Sequence, residues 1–397
     1  MKLKIAIIGL GYVGLPLALS LGKHFKTVGF DTNKERILNL IKGVDINNEF
    51  NKKQIKRSGT IFSSKIEDLN EINFFIITVP TPIYSNKKPN LSFVKKASLM
   101  VSKLLKHKSI VVFESTVFPG LTENYSLNYL RKNNGLYCPR NDLEEKKFIK
   151  DKKNFFYLGY SPERVNPGDK KRNLGNISKI ISSNVKTSLN IIDSIYKKVI
   201  KSKVYKVQNI KIAEAAKIIE NTQRDINIAL VNEFAILFNK LNINTKEVLE
   251  AASTKWNFQK YMPGLVGGHC IGVDPYYLTY KAEQIGYHPE VVLAGRRIND
   301  HMPQWIAEQL VLNLVKNDIK VKGSRLLILG LTFKENCPDF RNSKVFNLIE
   351  YLNNYGFNIE VVDPFINEEI KLQINSFTPR NSLKKCSSYD SIILAVK

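Results

Sequence analysis

The sequence predicts an α/β protein in which two doubly wound, Rossmann-like domains are joined by a long central helix. A strand–turn–helix–strand pattern opens the chain at 4–31, and a similar pattern recurs at 325–363. Between them, residues 211–241 keep helical periodicity over about eight turns. A chain of 397 residues is too long for a single core and indicates two or three domains; with the central helix counted as one, the boundaries are expected at 1–204, 205–312 and 313–397.

The first pattern predicts a dinucleotide site. Gly9, Gly11 and Gly14 follow an apolar strand and open a helix with GxGxxG spacing. The first glycine allows a tight turn, the second lets a pyrophosphate approach the backbone, and the third lets the helix pack on the strand. Asp31 ends the next strand, 17 residues after Gly14. A carboxylate there binds ribose hydroxyls and repels a 2′-phosphate, which favours NAD over NADP.

The same segment has a second interpretation, as an export signal or a membrane-inserted helix. Lys2 and Lys4 precede a long apolar run, as in a signal peptide. The three glycines inside the run and the acidic Asp31 after it are explained only by a strand–turn–helix. We therefore expect no membrane insertion and a cytoplasmic protein.

Three further apolar strands run into polar loops at 73–83, 109–120 and 155–169. The pattern predicts buried parallel strands, and ligands of doubly wound sheets lie at the carboxyl ends of such strands. Thr81, Thr116 and Glu163 are therefore expected to line one cleft. For Thr116, a plain helix cap is the alternative.

The periodic segment 211–241 is longer than most globular helices, which suits a helix that joins domains and pairs with its twin in a homodimer. Lys217, Asn221 and Arg224 fall at i, i+4 and i+7 and so share one face. Spacing alone favours a solvated charged stripe for these three residues.

The last third repeats the nucleotide-domain pattern without its glycines. A strand at 325–330 leads into a long polar loop with Lys334 and Arg341, then a helix at 343–354 and a strand that ends at Asp363. A cationic loop at the carboxyl end of a strand suits a diphosphate. The charged segment 131–153 is expected to be a mobile surface excursion.

The loop 264–278, GLVGGHCIGVDPYYL, places Cys270 among glycines with Asp274 four residues later. A buried structural cysteine needs no surrounding glycines, whereas a nucleophile needs a backbone that a substrate can approach. The four cysteines have no CxxC pair or zinc-ligand spacing, so free thiols are expected and no metal site.

The formal net charge of +24 raises the possibility of nucleic-acid binding. The basic residues are scattered, however, and no platform of interleaved aromatic and basic residues is present, so no nucleic-acid partner is expected. Attraction of anionic phosphate substrates is the milder consequence.

Six motifs together resemble the UDP-glucose/GDP-mannose dehydrogenase family, in the right order and over nearly the whole chain. They are GLGYVGLPLA, VPTP, YSPERVNPGD, EAAKIIENTQRDINIALVNE, GLVGGHCIGVDPYYL and GLTFKENCPDFRNSK. YSPERVNPGD and GGHC resemble the branch that oxidises UDP-N-acetylhexosamines, such as UDP-N-acetylglucosamine and UDP-N-acetylgalactosamine, for bacterial surface polysaccharides such as capsule, O antigen and Vi antigen.

The resemblance implies a four-electron oxidation of the sugar's C6 alcohol to a carboxylate with two NAD. Cys270 resembles the nucleophile that holds the aldehyde as a thiohemiacetal and then becomes a thioester. Glu163 resembles the general base of thioester hydrolysis.

Four further residues acquire catalytic roles through the same resemblance. Lys217 resembles the cation that stabilises developing negative charge on the C6 oxygen, and Asn221 would help hold that oxygen. Asp274 resembles the partner of Lys217 and a water, and Thr116 would position water or nicotinamide.

Binding residues follow in the same way, for the UDP-sugar and for NAD. The implied substrate contacts are Arg164, Val165, Arg224, Phe333 and Lys334. The implied NAD contacts are Gly9, Gly11, Tyr12, Val13, Gly14, Asp31, Arg36, Thr81, Thr116 and Arg341.

Several alternatives stay open. The substrate is expected to be UDP-GlcNAc or UDP-GalNAc, with UDP-ManNAc or UDP-glucose as alternatives. A one-step dehydrogenase of the hydroxyacid type, or a non-catalytic nucleotide-sugar-binding protein, is a more distant possibility. Family members usually continue beyond the position of Lys397, so the last domain is expected to be shortened. His269 is expected to be a substrate or structural residue rather than a partner of Cys270.

Overall fold

The chain folds into two units, each built on its own sheet, and a computed structural model describes residues 3–132, 134–165, 174–268, 271–366, 376–383 and 388–396. The first unit comprises Met1–Ile219 and Tyr276–Lys281, and the second comprises Glu220–Pro275 and Ala282–Lys397. Within those described ranges, no helix is both long and apolar enough to span a bilayer.

The sheet of the first unit has eight strands in the order β3-β2-β1-β4-β5-β6-β7-β8. The first six strands in the chain run parallel, as the apolar runs predicted, because both faces of the sheet are covered by helices. The strands are β1 (Lys4–Ile8), β2 (Lys26–Phe30), β3 (Ile61–Ser63), β4 (Phe74–Ile77), β5 (Ile110–Phe113), β6 (Tyr157–Tyr160), β7 (Lys179–Ser183) and β8 (Val204–Val207).

One strand reverses direction. β7 pairs antiparallel with β6, with Gly159 opposite Ser183 and Tyr160 opposite Ser182, and β8 then follows β7 in parallel. Serine hydroxyls close this junction: the side chains of Ser182 and Ser183 donate to the carbonyls of Tyr160 and Leu158. No sequence pattern predicted the reversal.

The helices of the first unit cover the sheet, and Leu17, Leu21 and Ile192 are fully buried in its core. The apolar opening segment forms β1 and α1, which confirms the strand–turn–helix interpretation over the membrane interpretation. The helices are α1 (Gly14–Gly22), α2 (Lys34–Lys42), α3 (Lys52–Arg57), α4 (Ser92–Ser102), α5 (Leu127–Leu130), α6 (Asp142–Lys150) and α7 (Lys186–Tyr196).

The expectation of a surface excursion at 131–153 is wrong for its second half. Asn141 caps α6 by accepting a hydrogen bond from the Glu144 N–H. Glu145 is buried and accepts a hydrogen bond from the Tyr157 hydroxyl at 2.5 Å. The bond between Glu145 and Tyr157 on β6 therefore attaches α6 to the sheet, although the sequence of this helix is that of a solvated charged segment.

The long helix forms as predicted, as α8 (Ile210–Lys240), and it begins in the first unit and ends in the second. Inside the second unit, α8 packs against the helix Glu290–Lys316 (α11) through a buried ion pair in which Arg296 Nη1 lies 2.6 Å from Asp225 Oδ1. Asn299 donates to the same carboxylate at 2.8 Å. The remaining helices are α9 (Thr245–Ala252), α10 (Asp274–Gln284), α11 (Glu290–Lys316) and α12 (Lys344–Asn354).

The second sheet has four parallel strands in the order β11-β10-β9-β12, which confirms the second doubly wound pattern. Its core contains Leu326, Ile328 and Leu352. The strands are β9 (Arg325–Leu329), β10 (Asn358–Val362), β11 (Thr378–Arg380) and β12 (Ser391–Leu394).

Candidate functional site

The glycine turn after β1 is tightly packed behind and open in front. Gly9 has φ +99°, a conformation that side chains rarely adopt, and a Cβ on Gly14 would lie 1.8 Å from the Gly9 carbonyl oxygen. A Cβ on Gly11 would meet no atom within 4 Å. Gly9 and Gly14 are therefore required for the turn to fold, whereas Gly11 borders open space.

Asp31 and Arg36 hold this turn from two sides. Asp31 Oδ2 accepts a hydrogen bond from the Leu10 N–H at 2.8 Å, and Arg36 Nε donates to the Leu10 carbonyl at 3.1 Å. Arg36 is 5% exposed and pairs with Asp45 at 2.8 Å. It therefore supports the turn from within the domain, and its predicted contact with NAD remains a prediction.

Thr78 is part of the turn and was missed from the sequence. Its hydroxyl donates to the Gly9 carbonyl at 2.7 Å. A threonine directly after an apolar strand was the available signal, but the sequence predicted a role only for Thr81, three residues later. The Thr81 carbonyl accepts a hydrogen bond from Tyr277 at 3.0 Å.

These residues fit NAD. The open space at Gly11 leaves room for a pyrophosphate, the N-terminus of α1 begins at Gly14, and half-buried Asp31 lies at the end of β2 where a ribose would bind. Tyr12 and Val13 are partly exposed and lie between Gly11 and Gly14 on the turn.

Glu163 follows β6 and is fixed by its own loop. Its Oε1 accepts hydrogen bonds from the backbone N–H groups of Arg164 and Val165, at 2.7 and 2.5 Å. The Arg164 guanidinium donates to the Ser178 carbonyl at 3.0 Å. The loop that carries two predicted substrate contacts therefore also orients the predicted base.

Glu214 connects the loop that carries Thr116 to the start of α8, and it was not predicted. Its carboxylate accepts hydrogen bonds from the backbone N–H groups of Gly120 and Thr122. Burial raises the pKa of Glu214 to about 7, although these N–H groups lower it. Lys217 lies one turn further along α8 and is buried.

The second unit brings Asn221 and Asp274 together. Asn221 Nδ2 donates to Asp274 Oδ2 at 2.5 Å, and Asp274 is 2% exposed at the start of α10. Two polar residues 53 positions apart in the sequence are thus adjacent. Arg224 lies exposed on α8.

Two of the glycines before Cys270 serve packing within the second unit. A Cβ on Gly268 would lie 2.6 Å from the Phe333 ring, and one on Gly267 would lie 2.5 Å from the Asn342 carbonyl oxygen. The sequence predicted that these glycines let a substrate come close to the backbone. For these two, the group that comes close is instead the neighbouring loop with Phe333 and Asn342. Cys270 and His269 lie outside the described residues.

The loop after β9 carries less free positive charge than the sequence suggested. Arg341 pairs with Asp339, with Nη2 2.7 Å from Oδ2. Lys334 Nζ lies 5.6 Å from the centroid of the Phe333 ring.

The glycine turn, the strand-end carboxylate and the doubly wound sheets define a nucleotide-binding protein of the dehydrogenase class. Residues 3–200 match the NAD-binding domain of the UDP-glucose/GDP-mannose dehydrogenase family, residues 211–301 its central domain and residues 327–397 its UDP-binding domain. The chain belongs to the UDP-glucose/GDP-mannose dehydrogenase family. It is an oxidoreductase, and NAD is its cofactor.

Similar proteins cover nearly the whole chain. UDP-N-acetyl-D-glucosamine 6-dehydrogenase of Salmonella typhi is 50% identical over 100% of this chain and 90% of its own length. The enzyme of that name from Pseudomonas aeruginosa is 48% identical over 99% of this chain and 90% of its own length. The structure of UDP-D-ManNAc dehydrogenase from Pyrococcus horikoshii superimposes with a TM-score of 0.86 at 31% identity, over 99% of this chain and 89% of that one.

Proposed function

We propose that this chain oxidises C6 of a UDP-N-acetylhexosamine, with UDP-GlcNAc as the first candidate, to the corresponding uronic acid. The observation that carries the proposal is identity of about one half, over the whole chain, to two UDP-N-acetyl-D-glucosamine 6-dehydrogenases. UDP-ManNAc is the second candidate, because relatives named for that sugar are 34% and 31% identical.

The oxidation needs two rounds because an alcohol must lose four electrons to become an acid. When bound, NAD accepts a hydride from C6 in each round. We assign Cys270 as the nucleophile on the strength of its sequence motif. Its thiol adds to the C6 aldehyde as a thiohemiacetal, and the second oxidation leaves a thioester that retains the product.

The charged residues have separate roles. Lys217 donates a hydrogen bond to the C6 oxygen as negative charge develops on it, and Asn221, fixed by Asp274, donates a second. Glu163 takes a proton from the water that attacks the thioester, which releases the acid and restores the Cys270 thiol. Thr116 positions that water.

The second unit supplies the nucleotide contacts in this proposal. Phe333 and Lys334 contact the uridine diphosphate, and the Gly267–Asn342 packing holds this loop beside the start of the cysteine loop. Arg164, Val165 and Arg224 contact the sugar nucleotide, and Arg341 contacts NAD. The division into 1–204, 205–312 and 313–397 then separates NAD binding, catalysis and UDP binding.

We further propose a homodimer formed through α8, working in the cytoplasm for surface-polysaccharide synthesis. Leu230 and Leu237, seven positions apart on that helix, and Leu241 directly after its end are each about half exposed, which supports pairing with an apolar surface. Leu237→Lys is expected to shift the protein to a monomer in sedimentation analysis.

The test is NADH formed per sugar from UDP-GlcNAc, UDP-GalNAc, UDP-ManNAc and UDP-glucose, with the product mass. Two NADH and a uronate from one N-acetyl sugar support the proposal. Cys270→Ser is expected to abolish uronate release. One NADH per sugar, or uronate release at the parental rate from Cys270→Ser, contradicts the covalent mechanism.

A further inference from the structure

Glu163 belongs to a buried network of three charged groups and a tyrosine in the first unit. Lys179 Nζ lies 3.1 Å from Glu163 Oε2 and 2.7 Å from Glu114 Oε2. The Tyr196 hydroxyl donates to the other oxygen of Glu114. The side chains of Lys179 and Glu114 are 3% and 0% exposed. Two carboxylates thus share one ammonium group away from water.

The reversed strand places Lys179 there. In the antiparallel pair, Tyr160 lies opposite Ser182, so continuing the same register by three residues sets Glu163 opposite Lys179. Lys179 is the first residue of β7, yet it lies at the edge where β5 and β6 end. A parallel β7 would have carried its first residue to the far edge of the sheet.

The charged and titratable groups around Glu163 come from three elements besides its own loop. Glu114 follows β5, Lys179 begins β7, and Tyr196 ends α7; Arg164 is its neighbour in sequence. Burial alone would raise the pKa of Glu163, but Lys179 and the N–H groups of Val165 and Arg164 outweigh it and hold that pKa below its usual value. Burial raises the pKa of Glu114 against the pull of Lys179, and the charge of Glu163 raises it further, so the two carboxylates titrate as a coupled pair around one ammonium group.

We propose that Lys179 and Glu114 are positioning residues that set the basicity of Glu163 by competition of two carboxylates for one ammonium group. This proposal rests on the proposed function, in which Glu163 is the base of thioester hydrolysis. A lysine held by Glu163 alone would make that carboxylate a very weak base. Glu114 draws part of the lysine's charge away, which keeps Glu163 ionised but still able to accept a proton.

Two substitutions that remove opposite charges test the competition. Glu114→Gln leaves Lys179 with Glu163 only, so the pH at which thioester hydrolysis loses half its rate is expected to fall. Lys179→Met removes the cation, so the same pH is expected to rise. We expect shifts of about one pH unit in each direction, which is about a tenfold change in the ionised fraction at a fixed pH.

The measurement is a single-turnover reaction with UDP-GlcNAc, or whichever sugar the wild type oxidises, followed from about pH 3.5 to 9 so that the range includes the pKa of Glu163, which is held below its usual value. NADH absorbance reports the two oxidations, and the mass of quenched samples reports release of the free acid. Glu145→Gln is the matched control, since Glu145 is a buried carboxylate bonded to a tyrosine on the same sheet. Its hydrolysis profile is expected to match the wild type.

Opposite shifts with an unshifted control support the proposal. Slower hydrolysis in both variants with an unmoved pH midpoint would overturn it and leave a purely structural network. If Lys179→Met does not fold, Glu114→Gln alone decides by the same midpoint. Failure of the proposed function is distinct, because then the wild type itself would not form two NADH and a uronate.

Discussion

Asp31 and Asp363 occupy equivalent positions in the two sheets. Each follows its strand and accepts a backbone N–H from the residue after a left-handed glycine: Leu10 at 2.8 Å and Leu331 at 2.7 Å. The two side chains differ in solvent exposure. Asp363 is 2% exposed and accepts two further N–H groups, from Thr332 and Phe365, whereas Asp31 is half-buried.

Because of this difference in exposure, an Asp→Asn substitution is expected to affect mainly stability at Asp363 and mainly NAD binding at Asp31. Asp363→Asn turns an amide N–H₂ toward backbone N–H donors, so it is expected to lower the free energy of unfolding by about 1–3 kcal/mol. Asp31→Asn is expected to weaken NAD binding about tenfold or more with a smaller loss of stability. Urea unfolding and NAD titration of both variants check this. Weaker NAD binding in Asp363→Asn at unchanged stability would contradict it.

The glycine turn predicts that folding and NAD binding can be separated. Gly11→Ala adds a methyl group into empty space, so thermal unfolding is expected at the wild-type temperature. NAD affinity is expected to fall about tenfold or more, since the methyl occupies the pyrophosphate's approach. Gly14→Ala forces an atom to 1.8 Å from the Gly9 carbonyl oxygen and is expected to destabilise the fold itself. Full NAD affinity in Gly11→Ala would refute the assignment.

Glu214 predicts a pH dependence of stability. Its pKa lies at about 7 in the folded chain against an ordinary 4.5, so the folded state binds more protons between these values. The contribution of Glu214 to stability is therefore present below pH 4.5 and is lost as pH rises through 7. In Glu214→Gln this slope disappears. The stability deficit of the variant is expected to be about 3 kcal/mol larger at pH 5 than at pH 8, by urea unfolding. An equal deficit at both pH values would count against this.

The buried Arg296–Asp225 pair predicts a large loss on removal of one partner. Arg296→Met leaves the Asp225 carboxylate buried without its cation, and burial already raises the pKa of Asp225 despite that cation. We expect about 3–5 kcal/mol of lost stability. Lys246→Met is the control, because Lys246 and Glu250 are 3.9 Å apart and mostly exposed, and it is expected to change stability by less than about 0.5 kcal/mol. Similar losses in both variants would contradict the distinction.

The elements that were predictable from the sequence have strong local signals. β1, α1 and the turn between them follow from GxGxxG next to an apolar run, and α8 follows from its uninterrupted periodicity. Asp363 marks the second sheet because an acidic residue ending an apolar strand is a local pattern. In each case the residues that specify the structure are neighbours in the chain.

The missed residues depend on long-range pairing. Lys179 is a lone lysine before an apolar strand, and only the antiparallel register sets it opposite Glu163. Glu214 lies on the inner side of α8, where its partners, Gly120 and Thr122, are more than 90 positions away. Asp274 stood out in the sequence for its motif, but its bond to Asn221 depends on how α10 packs. No periodicity encodes such contacts.

Both edge strands of the eight-stranded sheet have features that disfavour pairing with a strand of another chain. β3 has three residues, too few to guide an added strand, and β8 carries Lys206, whose ammonium is held 3.3 Å from Asp193. Val204, Tyr205 and Val207 would otherwise form an apolar ribbon with open backbone groups. The charge on Lys206 is therefore expected to disfavour the addition of a further strand at this edge, and with it fibrillar association of the protein.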